Sequence, residues 1–366
     1  MDADVLVIGA GIVGAACAHA LAQAGLDVLV LDDRRGGATG AGMGHLVVMD
    51  DNPAELALSG ASLALWRELA PQMSTACDHH PCGTLWIAAN DAEMDEAQHK
   101  QQRLQAAGVA SQWRDAPALH AAEPALRPGL AGALEVASDG VVYAPAAAEW
   151  LLSRGGARVR VEQARVVAIE GTALRLSDGG LRRAPQVVLA SGLGATALCP
   201  GLPLRPKKGH LLITDRYPGT VRHQLVELGY VTSAHHSEGD SVAFNVQPRP
   251  TGQLLVGSSR QFDTVDPQVE PAMLARMLRR AVEYLPALGQ LQAIRSWTGF
   301  RAATPDGLPL LGPHPTQPGL WLALGHEGLG VTTAPGSAEL IAAQLLGRAP
   351  PIDPAPYLPA RLLQAA

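Results

Sequence analysis

The pattern Gly-x-Gly-x-x-Gly in "GAGIVG" (Gly9, Gly11, Gly14) constrains this chain more than any other feature, because of what flanks it. Residues 4–8 (DVLVI) read as a buried strand, 12–24 (IVGAACAHALAQA) as a helix closed by Gly25, and 27–31 (DVLVL) as a second buried strand. In such a β-α-β unit the first glycine allows the tight turn. The second lets a pyrophosphate approach the backbone, and the third lets helix and strand pack closely. The helix N-terminus, with Ile12 and Val13 in its first turn, offers unpaired N–H groups and partial positive charge to phosphates. Asp32 follows the second strand, 18 residues past Gly14, where a carboxylate would bind ribose hydroxyls. Asp33 is a second candidate there, although a solvated surface acid is its more natural reading. A dinucleotide site is therefore expected, and both NAD and FAD use this unit.

The rest of the chain narrows the choice. At 366 residues it is long for one core and natural for two domains. A net charge of −6 argues against nucleic acid or a polybasic membrane contact. Four cysteines (Cys17, Cys77, Cys82, Cys199) are too few for a disulfide framework, so a reducing compartment is expected. The acidic start lacks the basic region of a signal peptide, and no run of about 18 apolar residues exists to span a membrane. A cytoplasmic location is expected, with a peripheral seat at the inner membrane left open.

Helices are expected over 53–70, 91–107, 146–153 and 271–284, and from about 331 to Gly347, with Pro335 in the first turn of the last. Strands are expected at 83–89, near 157–162, 164–170 and 173–177, at 186–192, and repeatedly between 204 and 262. The Pro-rich tail from 349 reads as an extended wrap or as disordered. The order implies an α/β fold: a discontinuous Rossmann-type unit (1–80, 138–203, 296–366) and a mainly antiparallel β-sheet unit with helices (81–137, 204–295).

Several stretches have a physical reading of their own. "GGATGAGMGH" (36–45) holds five glycines directly after Asp32, either as a flexible linker or as backbone meant to lie against a ligand. "GHEGLG" (325–330) precedes a helix and so presents N–H donors at a positive dipole end. "CDHHPC" (77–82) contains potential zinc ligands, but its spacing fits no common structural zinc pattern, and no metal is expected. His235 and His236 read as solvated.

Together with "CGTLWIA", "VVLASGLGA", "LRPKKGHLL", "QLLVGSS" and "WTGFRAATPDGLPLLG", these segments resemble, in order and over nearly the whole chain, the flavoenzymes of the D-amino-acid oxidase superfamily. The similarity is greatest to the branch of glycine oxidase, sarcosine oxidase and D-amino-acid dehydrogenases. Within it, "GATGAGMGHLVVMDD" looks most like the FAD-bearing subunits of bacterial D-hydroxyproline dehydrogenases.

The resemblance implies bound FAD, non-covalent because the linkage histidine of covalent relatives aligns near Ala41. It implies cofactor contacts from Thr39, Gly40, Met43, Gly44 and His45 along the glycine-rich stretch. Further contacts are implied from Ser191 and Gly192 at a strand end, from Val166 on the adenine side, and from Gly325, Gly328, Leu329, Gly330 and Val331 beside the flavin. Val166 reads equally well as a core valine. Arg301 takes the position at which relatives hold the substrate carboxylate, which a planar guanidinium grips with two bonds. Where the branch often has a second basic residue, this chain has Glu327, so Tyr230 is a candidate hydroxyl partner for Arg301. Lys207 and Lys208 either reach this site or face solvent.

The chemistry so implied is oxidation of the C–N bond of a small D- or cyclic amino acid by hydride transfer to flavin N5, giving an imine. Arg301, His45 and Tyr230 are the candidate catalytic residues, and cis-4-hydroxy-D-proline or D-proline is the favoured substrate. A peroxide-forming oxidase of glycine, sarcosine or iminodiacetate is the alternative. A flavin-carrying subunit of a larger electron-transfer complex is the alternative of another class, and an NAD-dependent dehydrogenase a weak third. The acceptor (quinone, ferredoxin-like subunit or oxygen) and a homo- or hetero-oligomeric state stay open.

Overall fold

The computed structural model describes residues 1–229, 239–262 and 264–363. Tyr230, His235 and His236 lie outside the described residues. Among those described, one sheet holds β1 (Val5–Ile8), β2 (Val28–Asp32), β8 (Val159–Gln163), β12 (Gln186–Leu189), β18 (Leu310–Pro313) and β19 (Leu320–Leu324), in the order β18-β19-β12-β1-β2-β8. All neighbours run parallel except β18, which is antiparallel to β19. Both faces are covered, which is why its central strands are apolar throughout. Val5 and Val7 pack with α1 (Ile12–Gln23), α3 (Pro53–Leu69), α6 (Ala144–Arg154) and α9 (Gly330–Leu345). Leu6 and Ile8 point the other way, into a core closed by β9 (Val166–Glu170), β10 (Ala173–Leu176), β11 (Leu181–Arg183) and α7 (Ala195–Leu198).

A second, larger sheet contains β4 (Thr84–Ala88), β5 (Gln112–Asp115), β6 (Gly132–Val136), β13 (Arg205–Arg216), β14 (Gln224–Glu227), β15 (Ser241–Pro248), β16 (Gln253–Arg260), β17 (Ala293–Ala303) and β20 (His326–Glu327). Their order is β20-β17-β13-β16-β15-β14-β4-β6-β5, antiparallel except between β14 and β4. One face is packed by α8 (Pro271–Tyr284), which buries Met273, Met277, Ala281 and Tyr284 at helical spacing. Nearer the sheet's other end lie α4 (Asp91–Ala106) and α5 (Ala116–Ala122). The opposite face receives the glycine-rich stretch, as α2 (Ala38–Ala41) and β3 (His45–Leu46), the latter paired with β7 (Gly140–Val141).

Two expectations need correction, and one of the two readings of the tail is met. Residues 296–303, grouped by sequence with the Rossmann-type unit, pair along their length with β13 and so belong to the second sheet. Pro335 sits in the second turn of α9, because that helix begins at Gly330. The N–H it lacks would have bonded the Val331 carbonyl; the Trp66 indole donates instead to the carbonyls of Val331 and Thr332, both at 3.0 Å. The tail through Leu363 is an ordered wrap. Tyr357 is buried and donates to the Ala54 carbonyl at 2.6 Å, and Arg361 pairs with Asp306 at 2.7 Å.

Candidate active site

The carboxyl ends of β1, β12 and β19 lie side by side, and the chain order reverses between β1 and β12, where an open α/β sheet forms its ligand crevice. Gly9 (φ +105°) turns so tightly there that a Cβ would stand 2.8 Å from the Ala190 carbonyl oxygen. A Cβ on Gly14 would stand 1.9 Å from the Gly9 oxygen, so the third glycine is required for helix and strand to touch. Gly11 caps α1 without a side chain, and Thr39 Oγ1 accepts the Ile12 N–H at 3.0 Å from a distant loop. Asp32 is pinned at the crevice, accepting from the N–H groups of Ala10 and Arg34, both at 2.7 Å. Asp33 is exposed and pairs with Arg35 at 3.4 Å, as a solvated acid does.

The residues present fit a large ligand crossing these strand ends. Ser191 Oγ, beside Gly9, is buried without a hydrogen-bond partner among the described residues. Gly40 and Gly192 leave open space where a side chain would stand. Val166 belongs to the core with Leu29 and Leu31, two residues past Ala164, whose N–H bonds the Asp32 carbonyl at 3.0 Å.

The stretch 36–45 is no linker. A Cβ on Gly299 would stand 2.5 Å from Ala41 Cβ, and Trp297 Nε1 donates to the Ala41 carbonyl at 3.0 Å. The Met43 side chain is buried with Leu211 and Leu255 and lies over Gly257. Gly44 (φ +81°) is there for close backbone packing, since a Cβ would meet the Val142 oxygen at 1.9 Å. The stretch therefore bridges the cap of α1 and the second sheet.

At the far side α9 opens after Leu329 with no side-chain cap, so the N–H groups of its first turn, Gly330 and Val331 among them, have no partner within the helix. Thr332 Oγ1 donates to the His45 carbonyl at 2.9 Å and accepts from the Val47 N–H at 3.2 Å, tying β3 to this helix start. Gly325 (φ +79°) would place a Cβ 2.6 Å from Thr304, and Gly328 borders the Arg301 side chain. His326 is buried against Ser337 Oγ at 3.0 Å, and burial pushes its pKa down to about 4, which keeps it neutral.

Arg301 is half-buried on β17. Its guanidinium lies over Gly209, where a Cβ would be 2.9 Å from Nη1, and Nη1 donates to the Ser259 carbonyl at 3.1 Å. Lys207, its register partner, shares this face and pairs with Glu327 at 3.0 Å. The acid that replaces a second basic residue thus neutralises a lysine. Burial opposes the ionised Glu327, but Arg260, Lys207 and Arg301 together hold its carboxyl below the usual range. Lys208, one residue on, points to the helix-covered face near His210 and is buried there, so it does not reach the site.

His45 is framed by three amides, from Gln224, Asn245 and Gln247. Burial pushes its pKa down to about 4, opposed by the Gln224 hydrogen bond and reinforced by Arg249 and Arg301, so the ring is neutral near pH 7. Behind Gln224 lies Asp139, fully buried. Burial, against hydrogen bonds from Thr84 and Val48, raises its pKa to about 7. A carboxyl with a raised folded-state pKa stabilises the fold at low pH, and the contribution is lost as pH rises toward the folded value. The difference in unfolding free energy between the wild type and Asp139→Asn is accordingly expected to change by about 1.4 kcal/mol per pH unit between about pH 4 and 7. Urea titrations at several pH values measure it, and a flat difference would contradict the assignment.

Cys77 and Cys82 bound the cysteine-histidine turn at 77–82. Cys77 and Cys82 are buried thiols with raised pKa values, and no cluster of His, Cys, Asp and Glu among the described residues is arranged to hold a metal. No helix among the described residues is long and apolar enough to cross a membrane.

Comparison with known proteins agrees with this geometry. The family model described as "FAD dependent oxidoreductase" (DAO) matches residues 4–344. The chain belongs to this family. It is 29% identical over 382 aligned residues to a glycine oxidase of Pseudomonas putida, covering 98% of this chain and 99% of the relative. It is 25% identical over 413 residues to the hydrogen cyanide synthase subunit HcnC of Pseudomonas aeruginosa, covering 98% and 96%. Its fold superposes on the crystal structure of glycine oxidase from Geobacillus kaustophilus with a TM-score of 0.86 at 26% identity, covering 100% and 99%. The protein is an FAD-dependent oxidoreductase of the DAO family with the α/β architecture expected from its sequence.

In this DAO-family oxidoreductase the polar residues that sequence reasoning missed are Gln224, Asn245, Gln247 and Arg249. Asn245 and Gln247 alternate along β15 in "NVQPR", which puts them on one face, and Arg249 follows at the strand's end. Polar residues at a period of two along one strand were the available signal. Arg249, nearly buried, donates to Gln247 Oε1 at 3.2 Å and to the Val142 carbonyl at 3.4 Å. Tyr230 cannot be placed with them, since it lies outside the described residues.

Proposed function

We propose that this oxidoreductase oxidises the C–N bond of a small D- or cyclic amino acid to an imine, with cis-4-hydroxy-D-proline, or D-proline, as the substrate we favour. The observation that carries the reading is Arg301, set over Gly209 with its fork steadied by the Ser259 carbonyl, on the sheet face that also presents Asn245 to His45. A guanidinium in that setting suits a carboxylate. The amides around His45 suit a ring hydroxyl. FAD, when bound, supplies the two-electron acceptor for the hydride of the amine-bearing carbon. The chain's part is to fix the carboxylate through Arg301, to keep His45 neutral beside the amine, and to offer the first-turn N–H groups of α9 to negative charge. We place Thr39, Gly40, Ser191, Gly192 and residues 328–331 around the cofactor. We also place the division between the cofactor and substrate units after Ala303, since β17 lies wholly in the second sheet.

An anaerobic titration of the purified holoenzyme with cis-4-hydroxy-D-proline, D-proline, sarcosine, glycine and iminodiacetate tests this. Bleaching of the flavin by cis-4-hydroxy-D-proline at the lowest concentration is expected; failure to bleach would sink the favoured substrate. The similarity to glycine oxidases favours a second reading, a glycine-, sarcosine- or iminodiacetate-type oxidase. Stoichiometric peroxide from one of those amines, with oxygen as sole acceptor, would select it. The likeness to a synthase subunit supports a flavin-carrying role in a larger complex, for which complex activity indifferent to Arg301→Ala would speak.

A further inference from the structure

We propose that Gln224 is a positioning residue that fixes the tautomer of His45, leaving its Nε2 as a hydrogen-bond acceptor within the site. The inference rests on the reading of His45 as a site residue. Two amides meet the same ring nitrogen: Gln224 Oε1 is in short contact with Nδ1, and Gln247 Nε2 lies 3.3 Å from it. One is an acceptor and the other a donor, so a neutral ring can serve only one of them.

The orientation of each amide is settled by groups that cannot exchange roles. Gln224 Nε2 donates at 2.8 Å to the Gly140 carbonyl, which can only accept, so Oε1 must face His45. The same Nε2 donates at 3.2 Å to Thr84 Oγ1. Hydrogen-bond polarity thus runs one way, from His45 Nδ1–H into Gln224 Oε1 and out through Gln224 Nε2 to the Gly140 carbonyl. Gln247 is held by Arg249, which donates to its Oε1, so its N–H group faces His45 as the weaker competitor. With Nδ1 protonated, Nε2 is left as a lone pair, and Asn245 Nδ2 donates to it at 3.2 Å.

Asn245 Oδ1 is then buried with no partner among the described residues. The other tautomer is therefore one amide rotation away: Gln247 would donate to Nδ1, and Nε2–H would donate to a turned Asn245 Oδ1. Arg249 and Arg301, the charged groups facing the ring among the described residues, disfavour its protonation in either arrangement. The choice between the two neutral forms falls to Gln224.

The test is nitrogen NMR of holoenzyme labelled with ring-15N histidine, His45 being assigned by the resonances lost in His45→Gln. The wild type is expected to show Nδ1 in the protonated range and Nε2 in the unprotonated range. Gln224→Met is expected to reverse the two. Gln224→Glu is expected to restore protonated Nδ1 and to raise the His45 pKa, adding an ionisation between about pH 6 and 8 to the rate of flavin reduction that the wild type lacks. A wild-type His45 protonated on Nε2, or a tautomer unchanged in Gln224→Met, would overturn the proposal. Because the NMR readout needs no turnover, it stands apart from the substrate titration, whose failure would remove the functional reading alone.

Discussion

Arg301→Met is expected to lower kcat/KM for the amino-acid substrate by about 100- to 1,000-fold while the FAD spectrum stays intact. The size follows from the role proposed for the guanidinium. A charge-assisted, two-bond grip on a carboxylate is among the stronger polar contacts available, and a methionine leaves that carboxylate desolvated with no cation. Lys207 does not substitute for it, because Glu327 already holds that ammonium at 3.0 Å. Arg301→Lys should recover only part of the loss, since an ammonium cannot form the planar fork. Much of the change is expected in KM, with kcat falling too where the misplaced carbon–hydrogen bond no longer meets its acceptor. Stopped-flow reduction under anaerobic conditions separates the two; a variant within a few-fold of the wild type would remove Arg301 from the substrate site.

Gly14→Ala is expected to yield protein that retains little or no FAD and melts well below the wild type. The methyl carbon would be forced to within 1.9 Å of the Gly9 carbonyl oxygen, and both partners are backbone, so neither can rotate away. Relief requires α1 to lift from β1, which withdraws the helix N-terminus from the crevice and costs about 1–3 kcal/mol or more in overpacking. Gly60→Ala is the control. Gly60 lies in α3 with nothing within 4 Å of its would-be Cβ, and alanine is the better helix former there by up to about 1 kcal/mol. The ratio of flavin to protein absorbance and a thermal melt decide it. Full flavin content in Gly14→Ala would refute the packing argument.

The nucleotide unit was legible because its signals are local. A strand apolar on both faces, three glycines at fixed offsets and a terminal acid all fall within 32 residues. The helix Pro271–Tyr284 was equally plain from its periodicity. What stayed hidden depends on distant partners. β14 reads "QLVE", with polar residues at both ends, yet Gln224 and Glu227 are both buried because His45 and Gly140 satisfy the first and Arg280 and Tyr284 the second. The amide frame of His45 was missed for the same reason: its members come from β3, β14 and β15, which only the folded sheet brings together. Pro335 was placed one turn too early, since nothing near it in sequence announces that Trp66 serves the carbonyl it leaves.

The bridge formed by residues 36–45 determines where harmful substitutions will be found. Gly257 and Gly299 lie on the second sheet, remote in sequence from the nucleotide motif, yet a side chain at either would press on Met43 or Ala41. Those residues are continuous with Thr39, which caps α1 at the mouth of the crevice. Loss of cofactor is therefore a phenotype to look for across both sheets, and a variant at Gly299 with a pale flavin spectrum would be reporting on a footing beneath the loop rather than on a contact with FAD.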